Sequence, residues 1–288
     1  MRKLALAIAM ALALLCAPAL FAQKKIDTVV QQVNDRRTSG SFSQLTITLQ
    51  LPSIQNLDVA ASRVLISSAV DDAGQSLVEA QSNEPQLEPN ARALYDKKPS
   101  PATISVTLKN PARKAAAVKQ VSGEIELYMP SKDPNSVAEF PKFTSLAGKT
   151  LTHKALKANN VEIAAVSSAQ VAAEKKKLEE AKRKELKDSG YDEETLTSVL
   201  SSFLEYLLKF EDSDVLLRIK DPNQRIQNIS YVDTAGEEKH VSTREDSGFI
   251  VLSTWGEKPQ ADWKLRVSMK TPKNIVRYPF SLTNVPLP

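Results

Sequence analysis

Val70-Asp71-Asp72-Ala73-Gly74-Gln75 and Val232-Asp233-Thr234-Ala235-Gly236-Glu237 are one stretch met twice. Each reads as a hairpin turn, because aspartate suits the first turn position and glycine tolerates the positive φ needed at the last. Each is followed at a similar distance by an alternating strand that stops at proline. Ile104-Ser105-Val106-Thr107-Leu108-Lys109-Asn110-Pro111 begins 34 positions after Val70, and Leu265-Arg266-Val267-Ser268-Met269-Lys270-Thr271-Pro272 begins 33 after Val232. A shared turn alone is weak, but turn plus strand at nearly equal spacing points to an internal duplication.

Working outward, the stretch 45–51 places Leu45, Ile47, Leu49 and Leu51 on one face and polar residues on the other, the period of a half-buried strand, and Pro52 ends it. Residues 214–220, closed by Asp221-Pro222, hold the same place ahead of the second turn. Further strands are expected at 64–70, 75–78, 104–108, 123–129, 137–143 and 161–166. In the second copy they are expected at 226–232, around Val241, and at 249–255, 263–270 and 278–282.

Between the copies the texture becomes helical. Residues 170–188 carry Glu179 and Arg183, and Glu180 and Lys184, as i,i+4 pairs over a thin apolar stripe. After Gly190, Asp192 can cap a second helix to Phe210, in which Leu196, Val199, Leu200, Phe203, Leu207 and Phe210 recur at three- and four-residue steps. The expectation is an α-helical hairpin that serves as a spacer, its second helix packing on a sheet, rather than a protruding arm for a partner.

The chain has 288 residues, long enough for two ordinary domains, and 25% charged against 42% apolar residues is the balance of a folded protein. Arg2 and Lys3 precede an apolar run from Leu4 to Ala22, which reads as a signal peptide over 1–22, cleaved after Ala22, with Ala17-Pro18-Ala19 as the competing site and an uncleaved anchor as the alternative. Cys16 is the only cysteine and follows bulky Leu15, so a lipid anchor is not expected there, and residues 23–288 have no thiol or disulfide chemistry. A secreted chain without disulfides suits a bacterial periplasm or exterior. Losing Arg2 and Lys3 takes the formal charge from +4 to +2, too small a surplus for a nucleic-acid footprint.

The residues offer little chemistry. His153 and His240 stand apart with no helical partner ligand, so no metal site is expected. The acidic doublet Asp71-Asp72 lacks the spaced carboxylates of a calcium loop. No nucleophile elbow, Walker loop or dinucleotide fingerprint occurs, so no cofactor and no catalytic residue is assigned. Glu124 and Glu126 flank Ile125 on one strand face and read as its solvated side, although dispersed carboxylates could serve a hydrolase without leaving a local signature. Trp263 shares a face with Leu265, Val267 and Met269 and reads as core, whereas Trp255, beside Gly256 at a strand end, is the one candidate binding-surface residue. The loop 79–101, rich in Glu, Pro and Ser, reads as an exposed connector.

With the repeat, the signal peptide and the ending Pro279-Phe280-Ser281-Leu282-Thr283-Asn284-Val285-Pro286-Leu287-Pro288, the chain resembles uncharacterised secreted bacterial proteins built from tandem immunoglobulin-like or related β-sandwich domains. The resemblance implies a fold and no activity. The expected architecture is mainly β: a tether at 23–37, a β-sandwich-like domain at 38–166, a helical hairpin linker at 167–210 and a second β-sandwich-like domain at 211–288. The expected function is non-catalytic binding or scaffolding, with a protein or cell-envelope component as partner. A carbohydrate-active or peptide-processing hydrolase is the alternative, and a small-ligand carrier a third reading. No membrane span is expected once the signal peptide is removed.

Overall fold

The computed structural model describes residues 26–38, 43–54, 57–79, 85–89, 103–206, 210–239, 241–254 and 258–288. The expected signal peptide, most of the loop 79–101, His240 and Trp255 lie outside them. The chain is mainly β, in several antiparallel sheets.

It divides into two compact units. One comprises the described part of Met1–Met129 together with Ile275–Pro288, and the other is Pro130–Asn274. These units do not coincide with 38–166 and 211–288. The second unit is inserted into the first, between two strands that pair with each other.

In the first unit, β1 (Val29–Arg36), β2 (Gln44–Gln50) and β5 (Thr103–Leu108) form one sheet, in the order β1-β2-β5. The other sheet holds β3 (Ala61–Asp71), the short β4 (Glu88–Pro89), β6 (Ala117–Tyr128) and β16 (Ile275–Pro286), in the order β16-β6-β3-β4. The alternation in β2 and β5 turns Leu45, Ile47, Leu49, Val106 and Leu108 into the core, where they meet Val121, Ile125 and Leu127 of β6 and Phe280 of β16. Residues 29–36, read from sequence as part of a tether, instead pair with β2 from Val29↔Gln50 to Arg36↔Gln44. As an edge strand β1 buries little, so it carries no alternation to betray it. At the centre of the other sheet, Gly123 lies so close to β3 that a Cβ would stand 2.1 Å from the Leu65 carbonyl oxygen, beside the register shift at Ile66/Ser68.

In the second unit, β7 (Val137–Pro141), β11 (Ile226–Val232), β12 (Glu238–Lys239) and β15 (Lys264–Met269) form a sheet ordered β12-β11-β15-β7. A five-stranded sheet, ordered β13-β14-β10-β9-β8, holds β8 (Thr150–Leu151), β9 (Glu162–Ala165), β10 (Val215–Lys220), β13 (Ser242–Asp246) and β14 (Phe249–Ser253). Phe140, Tyr231, Leu265, Val267 and Met269 of the first sheet share a core with Ile163, Leu217 and Leu252 of the second. Trp263, expected in the core, is buried there and tilts against Tyr231, which stacks on Phe143 at 5.0 Å.

The helix Ser168–Asp188 opens with a reciprocal cap, in which Gln170 N–H donates to Ser167 Oγ at 3.3 Å and Ser167 N–H donates to Gln170 Oε1 at 2.9 Å. Asp192 caps the helix Glu193–Tyr206 by accepting Thr195 N–H at 2.8 Å, as its sequence position predicts. The two helices pack on each other through Leu186, Leu196 and Leu200. No helix among the described residues is long and apolar enough to cross a membrane.

Both repeated turns form as read, with Gly74 N–H donating to Asp71 O and Gly236 N–H to Asp233 O, each at 3.1 Å, and both glycines at positive φ. Each aspartate also accepts a backbone N–H through its carboxylate, from Gln75 at 2.7 Å and from Glu237 at 2.8 Å. The copies differ beyond that point. Asp71 is fully buried and its second oxygen accepts Ala112 N–H at 2.8 Å, whereas Asp233 pairs with the Lys239 ammonium at 2.8 Å.

Candidate functional site

Glu126 is the largest departure from the sequence reading. Expected on the solvated side of β6, it is fully buried. On β3, Arg63 stands opposite it and donates through Nε to one carboxylate oxygen; on β16, Arg277 stands opposite it on the other side and donates through Nε to the second oxygen at 2.6 Å. Arg63 also reaches the Pro85 carbonyl at 2.9 Å, and Leu87 covers the same sheet face against Ala61 and Tyr128. Both oxygens of Glu126 are thus held by cations, which makes it a clasp across three neighbouring strands. Glu124, two residues earlier, is half-buried.

In the second unit a cross-strand ion pair joins Glu139 on β7 to Arg266, which stands opposite it on β15. Arg266 donates to it through two nitrogens at 3.0 and 2.7 Å, and Lys264 reaches it at 3.2 Å. The Arg266 hydrogen bonds, with a smaller effect from Lys264, hold the Glu139 carboxyl below the usual glutamate range.

A third polar group ties the segment entering the second unit to the segment leaving it. Thr271 Oγ1 donates to Asp133 at 2.8 Å, Thr271 N–H donates to Asn274 Oδ1 at 2.7 Å, and Asn274 Nδ2 donates to the Met269 carbonyl at 2.8 Å. Asp133, Thr271 and Asn274 are all buried. The Asn135 backbone N–H and the Thr271 hydroxyl hold Asp133 below the usual aspartate range.

Recognition chemistry is better provided by an open groove of about 460 Å³ in the second unit, lined by both of its sheets. Ile219, Ile226, Ile229 and Ile250 give it an apolar floor, and Asn228 and Glu245 stand among its polar lining. Arg244, also at the groove, is braced by Asp246 at 2.8 Å and lies over the Phe210 ring at 5.8 Å. A smaller groove of about 350 Å³ in the first unit runs between residues 26–30 and β16. Sequence reasoning missed the larger groove because its floor comes from isoleucines on three strands with no shared motif.

Of the other residues singled out, His153 accepts Ala155 N–H at 3.1 Å through Nδ1 and so caps the helix Lys154–Ala158. Among the described residues no three His, Cys, Asp or Glu side chains gather as a metal set. Burial, with a contribution from the Asp214 charge, pushes the Tyr231 phenol well above its ordinary value, so it stays protonated at neutral pH. Comparison with protein-family models, with curated proteins and with solved structures finds no match to this chain.

Proposed function

We propose that this is a secreted or periplasmic, non-catalytic binding and scaffolding protein whose inserted unit carries the recognition surface. The carrying observation is the groove over Ile219, Ile226, Ile229 and Ile250, which combines an apolar floor with hydrogen-bonding and charged rim groups. That combination suits an extended peptide segment of a protein or cell-envelope component, with an apolar side chain on the isoleucines and its backbone against Asn228 and Thr243. The engagement of the buried carboxylates supports binding over hydrolysis, since Glu126, Asp133 and Asp71 each have both oxygens accepting hydrogen bonds.

In this reading the facing sheets are immunoglobulin-like units, and the two packed helices form a hairpin that acts as a spacer within the inserted unit. Secretion rests on Arg2 and Lys3 ahead of the apolar run to Ala22. The test is capture from the native cell envelope with the wild-type chain and with Ile250→Glu, both checked for intact folding by circular dichroism. A peptide-bearing partner held by the wild type and lost with Ile250→Glu supports the proposal; a partner held equally by both overturns the groove. A hydrolytic activity lost on changing one carboxylate overturns the non-catalytic reading.

A further inference from the structure

The groove of the second unit has a cause in the path of one chain segment. β12 lies at the edge of the four-stranded sheet, where Glu238 faces Val232 and Lys239 faces Tyr231. Continued in that register, Ser242 would face Asn228 of β11. It faces Ser253 of β14 instead, because β13 runs at the edge of the five-stranded sheet. The segment has changed sheets between Lys239 and Ser242, and past the crossing the isoleucines between β11 and β13 are left open.

Among the described residues no strand covers the outer edge of β13. Asp246 and Phe249 close a two-residue turn in which Ser247 and Gly248 both have positive φ. The closing pair of such a hairpin hydrogen-bonds across it, so alternation turns the backbone N–H and C=O of Thr243 and Glu245 away from β14. Thr243 opposes Leu252 and Glu245 opposes Ile250, which puts both side chains on the inner face of the sheet. A strand laid along this edge bonds to Thr243 and Glu245 and sets every second side chain on Ile226, Ile229 and Ile250.

Charge narrows what fits. Arg244 is the one cation among the described lining residues, and alternation points its side chain to the opposite face, where Asp246 at 2.8 Å and Asp214 at 3.7 Å engage it. Asp221 accepts the Arg225 and Ile226 N–H groups at 2.9 and 2.7 Å and meets no cation among the described residues. Glu245 is exposed and likewise has no ion-pair partner among them. An apolar strand laid over Glu245 would desolvate an unpaired carboxylate, and an inward charge at a sheet edge turns such strands away. A strand with a cation at that place meets no such penalty.

We propose that the ligand of this groove is an extended segment that adds to β13 as a further strand and places a lysine or arginine against Glu245, between apolar side chains on the isoleucines. This rests on the groove being the recognition surface, and it makes Glu245 the residue that determines specificity.

The test titrates the full chain, by calorimetry, with the blocked heptapeptide Thr-Val-Thr-Lys-Thr-Val-Thr and with counterparts that carry glutamate or norleucine in place of lysine. Circular dichroism checks the fold of each variant. The wild type is expected to bind the lysine peptide several-fold more tightly than either counterpart. Glu245→Gln should abolish that preference, and Glu245→Lys should transfer it to the glutamate peptide. Bound lysine peptide should also slow hydrogen exchange at the Thr243 and Glu245 amides. Equal binding of all three peptides, lost with Ile250→Glu, overturns the charge selection and leaves the groove reading standing. Selective binding with no protection at those two amides overturns strand addition. Absence of lysine-peptide binding to the wild type overturns the proposal, while capture from the cell envelope with Ile250→Glu still decides the groove. A wild-type dimer in light scattering that the lysine peptide splits assigns the groove to a second copy and overturns the outside ligand.

Discussion

Glu126 and Arg277 lie 151 positions apart in the sequence and face each other across adjacent strands, joined at 2.6 Å. Between them the chain builds an entire second unit. Arg63 closes the other side of the same carboxylate, so the two cations clamp one buried anion from both neighbouring strands.

The exposures rank the consequences of breaking this clamp. Removing Glu126 leaves two guanidinium groups facing each other around a fully buried position, and Glu126→Ala is expected to cost about 3–5 kcal/mol. Arg63 has 17% of its side chain exposed and Arg277 56%, so Arg63→Ala should cost less than Glu126→Ala, and Arg277→Ala least. Urea denaturation of the three variants measures the order. Equal losses at all three positions would mean that the clamp is not centred on Glu126.

Gly123 makes a sharper packing prediction. A methyl group there collides with the Leu65 backbone carbonyl, which can yield only by moving β3 against β6. Gly123→Ala is therefore expected to destabilise by about 1–3 kcal/mol, the range for overpacking a filled site. Gly74 has nothing within 4 Å of a Cβ, so Gly74→Ala carries only the strain of its positive φ, about 1–2 kcal/mol. Thermal unfolding with a shift for Gly123→Ala no larger than that of Gly74→Ala would place the close approach in doubt.

Local chemistry was legible in the residues, and long-range pairing was not. The alternation of Leu45, Ile47 and Leu49, the Asp71 and Asp233 turns, and the Asp192 cap all formed as read, because each is decided by neighbours in sequence. The strand 29–36 escaped because an edge strand exposed along most of its length shows no buried face. Glu126 escaped because alternation says only which residues share a face; what covers that face comes from Arg63, Arg277 and the segment around Leu87. The unit boundary escaped for the same reason. The repeated turn was visible, but the spacing that matched residues 104–111 with 265–272 paired β5 with β15, which occupy different positions in their sheets. The counterpart of β15 is β6, and nothing short of the register reveals that.

Acid should weaken the fold through Asp133 and Glu139. Both have folded-state values held below their ordinary 3.8 and 4.5, so each contributes stability that is present above those values and lost as pH falls through the lowered ones. The urea midpoint is expected to hold from neutrality to about pH 5 and to decline below it. Asp133→Asn keeps the shape but cannot titrate, so it should lower stability at pH 7 and flatten the acid limb. An acid limb as steep as that of the wild type would remove Asp133 from the account.

Cutting the chain in the connection between the helices separates the tandem and inserted arrangements. Ser189 and Gly190 are exposed, and no side chain packs within 4 Å of a Cβ built on Gly190. Limited proteolysis is expected to nick there. In a tandem chain that cut falls in a linker and releases two independent domains. In the inserted arrangement it falls inside the second unit, and both fragments are needed by both units. The N-terminal fragment supplies β7 to β15 and β9 to β10, while the C-terminal fragment supplies β16 to β6. The nicked protein should therefore show two bands under denaturing electrophoresis and one species, at the intact mass, by native size-exclusion chromatography with light scattering. Two separate native species would restore the tandem boundary. Adding Glu126→Ala should loosen the nicked complex more than the intact chain, because the clasp then joins strands that no covalent bond connects.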